Sequence, residues 1–379
     1  TQPFSVMGIG DMSGDVFGNG LLLSRQIRLI GAFNHLHIFI DPNPDPAVSF
    51  AERERLFQLP RSNWTDYDPK VISEGGGVWS RDTKSIDLSE AARKALGISA
   101  TTLSPDELIH EMLKSPVDLL FNGGIGTYVK ASTESHESVG DRVNDMVRVD
   151  APDLRCRVIG EGGNLGLTQL ARIEYSRHGG LCHTDAIDNA AGVDTSDHEV
   201  NIKILLNAAV DAEKISVEER NNLLRDMTEE VAQLVLRNNY TQTQALALAV
   251  DHAPSLIHQH ARALRQLEQT YGLDRTLEYL PDEEELKERI AQKKGLTRPE
   301  LAVLLSHSKI ATFQILLDSD VPEDTFLAED LQRYFPTALS PRFERFMADH
   351  RLRREIIATH VTNSMIYRVG PGVTLRMNE

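Results

Sequence analysis

Two cysteines in 379 residues, two tryptophans and an aromatic share of 6% are what this sequence is most visibly short of. Cys156 and Cys182 have no metal-binding spacing and are too few for a disulfide framework, which excludes a stapled secreted scaffold and fits a reducing compartment. Basic residues are scarce as well: 40 Lys and Arg face 56 Asp and Glu, a formal charge of −16. That balance argues against a nucleic-acid footprint and against anchoring on an anionic membrane. Long hydrophobic runs are missing too. "QALALAV" (Gln244–Val250) is among the most apolar windows and falls well short of the roughly 20 residues a membrane helix needs. No leader of charged then apolar residues precedes the first motif, and the first residue is not Met. The expectation is a cytoplasmic chain cut from something longer.

What is present is globular. An apolar share of 41% and a charged share of 25% suit a packed core, and the length predicts two domains. The character of the chain changes near residue 200. Before it, strand-length apolar runs start at Phe4 ("FSVMG"), His37 ("HIFID"), Val117 ("VDLLFN"), Arg155 ("RCRVIGEG") and Leu181 ("LCHT"). Between them lie helix-like stretches over 16–33, 89–96, 104–114 and 167–178. Strands alternating with helices predict a doubly wound, mostly parallel α/β sheet over 1–200. From 201 to 379 the apolar residues recur every three or four positions, which predicts an all-α region. Ser216, Thr241, Thr297 and Ser340 sit where helix caps are wanted.

The first apolar run breaks into "GIGDMSGD", in which Gly8, Gly10 and Gly14 give a G-x-G-x-x-x-G pattern. Ser13 stands where the commoner pattern has its third glycine. Such a loop lets backbone approach a pyrophosphate, with the next helix offering its free amides and positive dipole end. The run "HIFID" ends in Asp41, a carboxylate suited to the adenosine ribose hydroxyls and repulsive to a 2′-phosphate. The cofactor expected on that reading is NAD, with a Rossmann-type site. The Gly10 to Asp41 interval exceeds the usual ~20 residues, so an extended crossover is expected. Asp11, inside the loop, reads as a helix cap turned away from the phosphates. Two further loops, "FNGGIGTYV" with Asn122, Gly123 and Gly124, and "GEGGNLGLTQ" with Glu161 and Asn164, also follow strands. Loops at the carboxyl ends of parallel strands line the ligand crevice of such sheets. The acids of Thr184–Lys203 have neither calcium-loop spacing nor an H-E-x-x-H pattern, so no metal is expected.

Taken in order, "GIGDMSGD", "FIDPNPD", "NGGIGTYVKAS", "GEGGNLGLTQ" and "TDAIDNAAGVDTSDHEVNIK" resemble the large bacterial NAD-specific glutamate dehydrogenases. The resemblance is strong over the first 205 or so residues and looser beyond. It implies that Gly8 and Gly10 hold the pyrophosphate and Asp41 the adenosine ribose. It puts Asn164 beside the nicotinamide riboside, Asn189 near the nicotinamide amide, and Ser196 on the distal carboxylate of L-glutamate. Thr127 and Asp11 depart from it, since the family's relatives commonly carry Asn at both places. It further implies a catalytic lysine and an acid in a substrate domain upstream of Thr1, and a homo-oligomeric full-length enzyme that interconverts L-glutamate and 2-oxoglutarate. This chain alone is then expected to bind NAD(H) weakly without turnover. Alternatives are a dehydrogenase of another amino acid, a non-catalytic NAD-sensing module, and a methyltransferase, which also pairs a glycine loop with an acidic second strand.

Overall fold

The computed structural model describes residues 2–372. They form two compact units, Thr1–Asn189 and Ala190–Glu379.

The first unit is built on a six-stranded sheet. Its strands, in chain order, include β1 (Phe4–Ile9), β2 (Ile27–Phe33), β3 (His37–Ile40) and β4 (Gly77–Ser80). Short strands β5 (Ile86–Asp87) and β6 (Thr102–Leu103) pair with each other, followed by β7 (Leu119–Asn122). Strands β8 (Val129–Lys130) and β9 (Val149–Asp150) form another small pair, and β10 (Val158–Glu161) returns to the main sheet. The order across that sheet is β10-β7-β1-β2-β3-β4. The first four run parallel, whereas β3 and β4 are added antiparallel.

Successive side chains leave a strand on opposite faces, so each apolar run feeds two cores. On one face Met7, Ile9, Ile30 and Leu120 meet α3 (Glu90–Leu96), α4 (Pro105–Leu113) and α6 (Gln169–Arg177). On the other, Val6, Leu29, Ala32 and Phe39 meet Phe17 and Leu21 of α1 (Asp15–Leu22) and Leu56 of α2 (Pro46–Gln58). Helices on both faces make the doubly wound α/β arrangement. The short helices α5 (His136–Val139) and α7 (Asp185–Asp188) complete the unit.

One departure from the sequence reading matters. The stretch 16–33 is not one helix: α1 stops at Leu22 and the chain re-enters the sheet as β2. The true second strand is therefore "IRLIGAF". Only Asn34, His35 and Leu36 separate it from β3, and a connection that short permits only an antiparallel return.

The second unit is helical: α8 (Ala190–Asp211), α9 (Val217–Asp226), α10 (Thr228–Asp251), α11 (Ala253–Tyr271), α12 (Glu283–Ala291), α13 (Arg298–Leu317), α14 (Ala328–Tyr334), α15 (Glu344–Ala348) and α16 (Arg353–Val369). Ser216 does cap α9, its hydroxyl accepting from the Glu219 amide at 3.1 Å, and Thr297 caps α13 in a reciprocal box with Glu300. Thr241 lies inside α10 and hydrogen-bonds back to its carbonyls, while Ser340 closes a 3-10 turn. Helix α13 has the length and apolarity to cross a membrane, at mean hydropathy 1.2, yet 56% of that window is buried inside the protein. It is the core helix of this unit. The last part of the sequence tail, 373–379, lies outside the described residues.

Candidate dinucleotide site

Three loops rise from the carboxyl ends of the adjacent parallel strands β1, β7 and β10. They are tied edge to edge by backbone hydrogen bonds. Gly10 donates to the Phe33 carbonyl at 2.7 Å, Gly123 to Ile9 at 2.9 Å, and Gly162 to Asn122 at 2.8 Å. The crevice is thus assembled by the sheet itself.

Gly8, Gly10 and Gly123 crowd around a single ring. A Cβ on any of them would fall within 2.6–2.8 Å of Phe17, the third residue of α1. Their absence of side chains lets the start of α1 sink between the strand ends. Gly10 also has φ +139°, a backbone region that suits glycine alone. Its carbonyl accepts from the Trp64 indole at 3.0 Å, and Phe17 meets Trp64 edge-on. Below the turn is packed aromatic core.

The helix that follows has no side-chain cap. Gly14 occupies the N-cap position in extended conformation and makes none, so the first-turn amides of Asp15, Val16 and Phe17 depend on something other than a capping side chain. Such a helix start, next to glycine backbone, suits a diphosphate. Across the crevice, a Cβ on Gly162 would strike Val16 at 2.5 Å and one on Gly163 would press the Gly124 carbonyl at 2.9 Å. The loops leave a cradle of bare backbone. These observations fit a dinucleotide.

Asp11 folds back over its own turn. Its Oδ1 accepts from the Ser13 amide and hydroxyl at 3.0 and 2.6 Å and from the Gly14 amide at 3.1 Å. Its Oδ2 accepts from Asn34 at 2.8 Å. Burial pushes this carboxyl up, but the bonds from Ser13, Asn34 and Gly14 outweigh it and hold it below the usual range. The turn therefore keeps a fixed negative charge, braced by Asn34, the residue that follows β2. Ser13 serves that brace.

Asp41 is a correction. Because β3 is antiparallel, it runs away from the strand ends that carry the glycine turn; Ile40 pairs with Gly31, and the Asp41 amide donates to Ile30, midway along β2. The side chain is buried. Its Oδ1 accepts from the Ser73 hydroxyl and, at 3.1 Å, the Ser73 amide, while Oδ2 has no partner among the described residues. Burial raises this carboxyl above its usual range, against the Ser73 bonds. Asp41 is tied to Ser73 and Asn43, and none of its hydrogen bonds reaches the glycine turn.

The second and third loops stand on polar groups of which the sequence reading singled out Asn122 and Glu161 but not their partner residues Arg172, Asp185 and Asp188. Glu161 accepts both prongs of Arg172, Nε at 2.7 Å and Nη2 at 2.8 Å, and the Leu167 amide at 3.2 Å. Burial weighs against the Arg172 charge, and the carboxylate beside it more than restores it. Asp185 accepts from the Leu165 amide at 2.8 Å; Asp188 accepts from the Glu161 amide at 3.0 Å and pairs with His183 at 2.8 Å. These acids shape the loop. Asn122 is buried, with Oδ1 accepting from Gly124 at 3.3 Å. The Asn189 amide donates to the Asn164 carbonyl oxygen, so both expected nicotinamide-side residues meet at the mouth of the third loop.

Comparison with known proteins adds the decisive observation. A family model described as "Bacterial NAD-glutamate dehydrogenase, catalytic domain" matches residues 1–249, and one described as "Glutamate dehydrogenase, C-terminal" matches residues 293–379. The chain belongs to the bacterial NAD-glutamate dehydrogenase family. It is 56% identical over 375 residues to the "NAD-specific glutamate dehydrogenase" of Pseudomonas aeruginosa, covering 99% of this chain and 23% of that relative. Proteins of the same name from Mycobacterium tuberculosis and Halomonas elongata are 52% and 53% identical, covering 100% and 97% of this chain and 24% and 23% of theirs. The chain thus spans about a quarter of the length of these glutamate dehydrogenases. Within the family match, Ser196 lies on α8 of the second unit and is exposed.

Proposed function

We propose that the protein containing this chain catalyses NAD-dependent oxidative deamination of L-glutamate to 2-oxoglutarate and ammonium. What supports it most is one juxtaposition: three glycine-rich loops on adjacent parallel strand ends, around an uncapped helix start, in a chain of this family. Gly8, Gly10 and Gly14 would seat the diphosphate with the α1 amides. Asn122, Gly123 and Gly124 would flank it, and Asn164 and Asn189 would orient the nicotinamide end. That ring, when bound, supplies the hydride-accepting carbon.

Asp11, held by Asn34 and Ser13, replaces Asp41 as the carboxylate facing the adenosine ribose. A fixed charge there would turn away a 2′-phosphate, which favours NAD over NADP. Among the described residues these loops offer no spare acid–lysine couple: Lys130 is paired with Asp150, and Glu161 with Arg172. Proton transfer and water activation are assigned to residues outside this chain. A cytoplasmic, homo-oligomeric full-length enzyme is the accompanying expectation.

Ser196 would hydrogen-bond the distal carboxylate of glutamate. Ser196→Ala in the full-length protein should raise KM for glutamate by about tenfold at nearly unchanged kcat, the loss of one bond to a charged group. An unchanged KM contradicts this pocket, and full-length protein that forms no NADH from glutamate contradicts the function.

A further inference from the structure

The second unit holds a cleft of about 1260 Å³ between α8, α10, α14 and α16, lined by both charges. The acids along it are already engaged. Asp194 accepts from Asn238 at 3.0 Å and Asp197 from the Tyr334 hydroxyl at 2.6 Å. Asp330 faces Arg333 at 3.5 Å and His360 at 3.4 Å, and Glu230 accepts from the Thr337 amide at 2.7 Å.

The donors are not. Arg237 and Arg368 also line the cleft; both are exposed, and their guanidinium groups have no ion pair or hydrogen bond among the described residues. Both lie close enough to His360 to act on its charge: burial lowers its pKa, Asp330 opposes this, and Arg237, Arg333 and Arg368 lower it further. On the floor, His198 is 2% exposed and stacks on Tyr334, yet neither ring nitrogen has a hydrogen-bond partner. Its Nε2 sits 3.9 Å from Asp194, beyond hydrogen-bond reach. A buried imidazole with two unused nitrogens and two exposed, unpaired guanidinia line one cleft. Guanidinium forks match the oxygen pairs of carboxylate and phosphate.

We propose that this cleft binds a small anion bearing carboxylate or phosphate oxygens, gripped by Arg237 and Arg368 above His198. The occupant would rest on α8, which turns Asp194 and His198 to the cleft and Ser196 about 200° away around its axis. The proposal does not rest on the dehydrogenase reading, because its test requires neither NAD nor turnover.

The test is calorimetry of the full-length protein with inorganic phosphate and, separately, succinate, at constant ionic strength. The expected result is saturable binding of at least one probe, weakened at least tenfold in Arg237→Gln/Arg368→Gln and retained in the control Arg345→Gln. Binding of phosphate alone assigns a phosphorylated ligand, and binding of succinate alone a carboxylate. No binding of either, or equal affinity in a double variant whose melting curve matches the parent, overturns the proposal. NADH titration of the same samples separates this failure from that of the cofactor site.

Discussion

At the scale of single residues, the site is decided by which carboxylate is held at the glycine turn. Asp11 and Asp41 both border turn sequence, and strand direction and bonding separate them. Asp11 is a held anion beside the strand end of β2; Asp41 is a buried group with one oxygen unsatisfied. Asp41→Asn should leave NADH affinity within about twofold of the parent in calorimetry. Its raised folded-state pKa means the fold prefers the protonated form, so this group's contribution weakens as pH rises from the ordinary carboxylate range through the raised value. The variant should therefore melt no lower than the parent at pH 7. Asp11→Asn should act oppositely, narrowing the preference for NADH over NADPH by about tenfold. A loss of NADH binding in Asp41→Asn, with no change in Asp11→Asn, would restore the original assignment of the ribose acid.

Elements show why part of this was legible and part was not. The glycine loops announce themselves because their chemistry is local: backbone must approach a ligand or a ring, and only glycine allows it. The glycine loops follow β1, β7 and β10 as the sequence pattern indicates, for that reason. The second strand was hidden because "IRLIGAF" is buried on both faces and carries no alternation, which makes it indistinguishable by period from a continuing helix. The three-residue gap before "HIFI" was the missed signal, since two apolar runs so close can only form a hairpin. Non-local partners were beyond reach as well. Nothing in the sequence ties Arg172 to Glu161 until α6 lies against β10. Breaking that pair leaves a carboxylate buried under the third loop. Arg172→Leu should cost about 3–5 kcal/mol in denaturant unfolding and weaken NADH binding together with it. Stability lost with full NADH affinity would show that the loop does not need the pair.

For the whole molecule, the two units should respond differently to acid. The helical unit buries several neutral imidazoles, and His260 on α11 is the strongest case, its pKa lowered to about 4 by burial. The unfolded chain takes up the proton near pH 6.5 and the folded one does not. Stability is therefore fully present above 6.5 and falls as pH drops toward 4, by about 3 kcal/mol at most from this residue. His260→Leu should flatten the pH dependence of the second unit's unfolding over that window, as followed by hydrogen exchange in α11 and α13. An unchanged slope would move the effect to His198, His350 or His360.

A dinucleotide bound to the first unit should lie over the glycine turn and the loops after β7 and β10. Hydrogen–deuterium exchange of residues 1–379 with saturating NADH tests this most directly. Protection should appear together in 8–18, 122–128 and 160–167, leaving the Asp41 and Ser73 region unchanged. Protection centred on Asp41 and Ser73, or bound NADH with the first glycine turn unprotected, would contradict it.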